Sequence, residues 1–110
     1  MTIKTPSECR DMKEIRAAID SLDKHVVQLL GQRFEYVKAA AKFKTDATAV
    51  RAPERFQAML AQRRAWAEDA GLSPDAIEKM YRDLVEHFIA EEMKHWNAAK
   101  PSRDTDAATS

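Results

Sequence analysis

The sequence predicts an all-α chain of three helices, the first and third long and the second shorter. Three observations predict it. Apolar residues recur at three- and four-residue steps over most of the chain. No stretch alternates apolar and polar residues as a half-buried strand would. Only 2 of the 110 residues are Gly, which leaves few places for tight strand turns or a phosphate-cradling loop and sets aside a nucleotide-binding α/β domain.

The first helix is expected over residues 11–44, which hold one Gly and no Pro and carry the stripe Ile15, Ile19, Leu22, Val26, Leu29, Val37 and Ala40. Residues 45–52, TDATAVRA, read as a loop, because Pro53 biases Ala52 toward extended backbone and suits the first position of the next helix. The second helix, PERFQAMLAQRRAWAEDA, stops at Gly71. Ser73 as N-cap, Pro74 at the first helical position and Asp75 near the positive end of the dipole open the third, which continues to about Trp96. The domain organisation is therefore a short N-terminal segment, 1–10, one helical domain, 11–96, and a polar tail, 97–110, expected to be disordered.

Length carries the fold into quaternary structure. About 33 helical residues span roughly 50 Å, whereas a compact chain of this size is about 34 Å across. A helix that overshoots its own domain must bury its stripe elsewhere, and a second copy presenting the same stripe is the economical solution. The expectation is a homodimer with the first helices intertwined, against the alternative of a helical hairpin broken near Gly31.

Composition narrows the function classes. Lys and Arg number 18 and Asp and Glu 18, so the excess of positive charge that phosphate contacts demand is missing and nucleic acid is not an expected partner. No apolar run approaches the roughly 18 residues of a membrane span, and the opening MTIKTPSECRDMK lacks the apolar core of a signal peptide, so a cytoplasmic location away from the membrane is expected. The single Cys9 cannot form an internal disulfide, and its polar surroundings do not suggest a catalytic thiol. His87, Glu91 and His95 share a helix face but lack an ordered metal-site spacing, so no metal or other cofactor is expected. Arg63 and Arg64 read as a solvated or ion-paired face, and Trp66, Trp96, Met59, Met80 and Met93 as core rather than cofactor contacts.

Four cations interrupt this pattern in ways that suggest a small anion, the alternatives being that Arg33 pairs with a core carboxylate, Lys44 only complements the helix dipole and Arg16 is solvated. Arg33 follows Leu29 and precedes Val37 by four residues each, which points a guanidinium toward the apolar side of the first helix. Lys44 lies 11 residues on, close to three helical turns, and the small side chains of Ala40 and Ala41 together with Val37 would leave a depression between the two cations. Arg55 stands in the first turn of the second helix, where a cation is disfavoured unless an anion lodges there. Arg16 is 17 residues before Arg33, too far along one helix to meet it, but able to do so from an antiparallel partner. On the third helix the stripe Ile77, Tyr81, Leu84 and Phe88 continues onto Glu92. A buried carboxylate is costly unless protonated or paired, and the sequence leaves both open.

The segment IRAAIDSLDKHVVQLLGQRFEYVKAAAKFK, with APER after it and HFIAEEMKHW later, resembles the all-helical chorismate mutase family, and most closely its isochorismate pyruvate lyase branch, which forms salicylate. The resemblance covers residues 5–96. It implies a small-molecule substrate, chorismate or isochorismate, and a pericyclic reaction with neither metal nor covalent nucleophile. It also implies two interlocked chains with sites shared between them. Arg33 and the partner chain's Arg16 would grip the ligand carboxylates, Lys44 would hydrogen-bond the ether oxygen, and Arg55 would assist binding and order the loop. Two departures bear on the branch. Mutases of the family carry acidic residues where this chain has Ala52 and Phe56, which leans the reading toward the lyase over a predominant mutase. Glu92 stands where the lyase branch and most bacterial mutases resemble each other in having Gln, and only a protonated Glu imitates that donor. A different reading keeps the fold and pocket as a non-catalytic helical dimer that binds a chorismate-like metabolite.

Overall fold

The computed structural model describes residues 3–99. Among these residues four α-helices follow one another: α1 Met12–Ala40, α2 Ala47–Arg51, α3 Pro53–Asp69 and α4 Pro74–Ala99. The three long helices are those the sequence predicts, and the described residues contain no strand. The chain divides into two compact units, Met1–Tyr36 and Val37–Ser110.

In the first unit Asp11 caps α1, its carboxylate accepting the Glu14 N–H at 2.9 Å. Glu14 reaches back to accept the Arg10 N–H at 3.1 Å and also pairs with Lys4. The Lys4 ammonium and the Arg10 N–H hold the Glu14 carboxyl below its ordinary range, and the same bond to Glu14 raises Lys4. Along α1 the predicted stripe is present and uncovered. Ile19, Leu22, Val26 and Leu29 are each about half exposed, and no residue of the helix is buried.

In the second unit α1 gives way after Ala40 to a 3₁₀ turn, Ala41–Phe43, so the helix ends four residues short of the expected Lys44. The segment read as a loop contains α2 instead. Asp46 accepts the Ala49 N–H at 2.7 Å and so caps a single turn too short to show periodicity. Ala52 is not extended, as the following proline had suggested, but left-handed at φ 41°, ψ 63°. Two hydrogen bonds hold it there. Its N–H closes α2 onto the Thr48 carbonyl at 2.7 Å, and its carbonyl accepts the Phe56 N–H at 2.9 Å to open α3.

The exit of α3 follows the glycine rule, with Gly71 left-handed at φ 77°. The Gly71 N–H donates to the Glu68 carbonyl and the Leu72 N–H to that of Ala67, satisfying two of the helix's last carbonyls. Ser73 Oγ then accepts the Ala76 N–H at 3.2 Å and starts α4. Met59, Leu60 and Ala67 of α3 are buried, and Arg64 donates to Asp75 and Glu78 at 2.8 and 3.1 Å across to α4. The expected ion-paired face is present at Arg64, and Arg63 beside it stacks on the Trp66 and Tyr81 rings, 4.5 and 5.6 Å from their centroids. Trp66 and Met80, expected in the core, are more than half exposed, whereas Met59 and Trp96 are buried. Trp96 forms a core cluster with Ala41 and Val50, against which Ile89 and Met93 pack.

Residues 97–99, assigned to the tail from sequence, still belong to α4, and the remainder of the expected tail lies outside the described residues. Among the described residues no helix is long and apolar enough to cross a membrane.

Candidate active site

Lys44 is where the long first helix has run out. It follows the 3₁₀ turn, with extended backbone at φ −101°, ψ 133° and its N–H bonded to the Ala41 carbonyl at 3.2 Å. The three-turn register that placed it on the face of Arg33 therefore does not apply, because the α-helical geometry stops at Ala40. What orients the lysine is α4. Its Nζ donates to Glu92 Oε2 at 2.6 Å, and the two side chains are 24% and 3% exposed.

Glu92 is thus buried, as its place on the stripe predicted, and the cost is met by pairing. An ammonium can only donate, so Glu92 is an acceptor in this bond. The donor role that its match to Gln suggested requires a proton on its second oxygen. Lys44, for its part, keeps two further N–H groups and partial exposure, so it can hold Glu92 and still donate to a ligand oxygen.

One turn beyond Glu92, the buried Trp96 donates from Nε1 to the main-chain carbonyl of Lys44 at 3.0 Å. From sequence alone Trp96 is expected in the core, with no role at the site. Its position four residues after Glu92, on the same helix face, was the available signal.

The other singled-out residues are placed as follows. Val37 and Ala40 are half-buried at the end of α1, in the same unit as Lys44 and Glu92, and Arg55 is exposed on the first turn of α3 in that unit. Arg33, half-buried, and Arg16, exposed, belong to the first unit. Among the named site residues, Lys44 and Glu92 are brought into direct contact. A groove of about 210 Å³ lined by Ile3, Lys4, Glu14, Ala17, Ala18 and Ser21 contains none of them. Among the described residues no group of three His, Cys, Asp or Glu is placed to hold a metal, and the side chain of His95 lies outside that description.

Comparison with known proteins supplies the lineage of this arrangement. The chain is 43% identical over 98 residues to the isochorismate pyruvate lyase of Pseudomonas aeruginosa, covering 89% of this chain and 97% of that protein. It is 42% identical over 82 residues to the T-protein of Haemophilus influenzae and 34% identical over 93 residues to that of Enterobacter agglomerans, spanning 22% and 25% of their lengths. Residues 15–93, which include every singled-out site residue, match the family described as chorismate mutase type II. With an all-helical fold and a lysine paired with a buried glutamate in the matched span, the chain belongs to the chorismate mutase type II family and is an enzyme of that type.

Proposed function

We propose that this enzyme eliminates pyruvate from isochorismate to give salicylate, and that the same site rearranges chorismate to prephenate as a secondary activity. The observation that carries the reading is the Lys44 ammonium, half-sheltered and held by Glu92 with N–H groups to spare. Near-full-length similarity to a lyase supports the choice of branch, as do Ala52 and Phe56, where the mutases resembled have acidic residues.

In the elimination the ring C–O bond breaks, a ring hydrogen passes to the enolpyruvyl methylene, and the ring becomes aromatic. Atoms balance without water, nucleophile or oxidant. Negative charge gathers on the ether oxygen as the bond lengthens, so a fixed cation there lowers the barrier more than it tightens binding. That role falls to Lys44, with Glu92 beside it. Arg33 and Arg16 of the partner subunit hold the two carboxylates, Arg55 assists them, and Val37 and Ala40 contribute wall. Chorismate uses the same C–O cleavage, with a carbon–carbon bond forming at the methylene instead.

The proposal includes a homodimer. Ile19, Leu22, Val26 and Leu29, about half exposed along α1, support it by offering a continuous apolar stripe for a second copy. The function is tested by giving purified protein isochorismate and chorismate separately and identifying salicylate, pyruvate and prephenate. Salicylate and pyruvate in equal amounts, formed faster than prephenate, are expected. Faster prephenate formation reverses the order of the two activities, and no product from either substrate ends the reading.

A further inference from the structure

We propose that Trp96 is a positioning residue for Lys44, acting through its main-chain carbonyl; this rests on the catalytic role given to Lys44 above. A lysine's four-carbon stem places its charge only as well as its backbone is held. The backbone of Lys44 is not held by a helix. It is extended, at the end of a 3₁₀ turn, with its N–H on a 3.2 Å bond.

Helix α4 supplies the missing restraint at both ends of the residue. Glu92 takes Nζ at 2.6 Å, and Trp96, four residues on and on the same helix face, takes the carbonyl oxygen at 3.0 Å. With both ends fixed to one rigid element, rotation about the Lys44 backbone would break one bond or the other. The indole is itself well fixed. It is 6% exposed and packs with Ala41, three residues before Lys44, and Val50, six after, so it grips the chain on either side of the lysine. Ile89 and Met93 back the cluster. A buried indole N–H needs an acceptor, and the acceptor here is the main-chain carbonyl of Lys44.

The test is Trp96→Phe, which removes the N–H and keeps a buried ring. A second variant replaces the indole N–H by sulfur in an isosteric side chain, so that shape is preserved should Phe disturb folding. Positioning predicts that kcat falls by about tenfold to a hundredfold, the range for misplacing a reacting group by up to 1 Å, while KM is unchanged. It further predicts that Trp96→Phe has no effect on the residual turnover of Lys44→Ala/Glu92→Gln, which has no lysine to position. Amide hydrogen exchange at Lys44 should quicken in Trp96→Phe relative to Met59 and Leu60 in α3. A lowered Tm with unchanged kcat, or the same loss of kcat with and without the lysine, overturns the proposal. If the wild type converts neither substrate, the proposed function fails separately, and exchange decides alone: quickening confined to the neighbourhood of Lys44 upholds the restraint, and unchanged or uniform exchange overturns it.

Discussion

A lysine paired with a buried glutamate cannot be removed without consequence for the partner. Lys44→Ala leaves the Glu92 carboxylate, 2% exposed, with no counter-charge. Breaking such a pair costs about 3 kcal/mol, the low end of the usual range because Lys44 retains contact with solvent. Urea denaturation should show this loss in Lys44→Ala and its recovery, in large part, in Lys44→Ala/Glu92→Gln. A single variant as stable as wild type would mean that the pair is not formed in solution. The sequence singled out both residues, Lys44 from a spacing and Glu92 from a stripe, but could not place them against each other. The lysine's position depends on a 3₁₀ turn and an extended residue, neither of which has a periodic signature.

At the scale of elements, the caps were legible because they are made by adjacent residues. Gly71 and Ser73 act where the sequence placed helix ends, and Asp11, expected only as the first helical residue, caps α1. Helix α2 was not legible, because five residues give no period and Pro53 argued for extended backbone at Ala52. That alanine now sits in a conformation that disfavours a Cβ by roughly 1–2 kcal/mol. Ala52→Gly relieves the strain at some expense in unfolded-chain entropy, for a net stabilisation of about 0.5–1 kcal/mol in chemical denaturation. No gain, or a loss, would mean that Ala52 leaves the left-handed region in solution.

The start of α1 should respond to pH. Glu14 is depressed in the folded chain by Lys4 and the Arg10 N–H, so its stabilisation is complete above its ordinary value of 4.5 and is lost as pH falls through the lower folded value. Lys4 is raised, so its share is complete below 10.5 and is lost as pH rises through its higher folded value. Backbone NMR shifts of residues 10–15 should therefore hold steady from pH 5 to 9 and move below pH 4. The Arg10 N–H shift, which reports on the bond to Glu14, should lose its acid transition in Glu14→Gln.

At the scale of the whole molecule, the proposed homodimer accounts for the exposed apolar stripe of α1. Covering the exposed halves of Ile19, Leu22, Val26 and Leu29 stabilises by roughly 1 kcal/mol each. If the partner's Arg16 completes a site with Arg33, then mixing Arg16→Ala with Arg33→Ala chains should recover about a quarter of wild-type activity, because half the dimers are mixed and each has one intact site. Proven subunit exchange without recovery would remove the shared site. The claim that joins these scales is that a lysine held by α4 stabilises charge on a breaking C–O bond. Its most direct test compares kcat for isochorismate between Glu92→Gln and Lys44→Ala/Glu92→Gln, since neither variant contains a stranded carboxylate. Gln can accept from Lys44 and still donate, so the first should stay active and the second should lose about 2–4 kcal/mol of transition-state stabilisation, seen mainly in kcat. Equal kcat values in the two folded variants, with the difference confined to KM, would contradict the account.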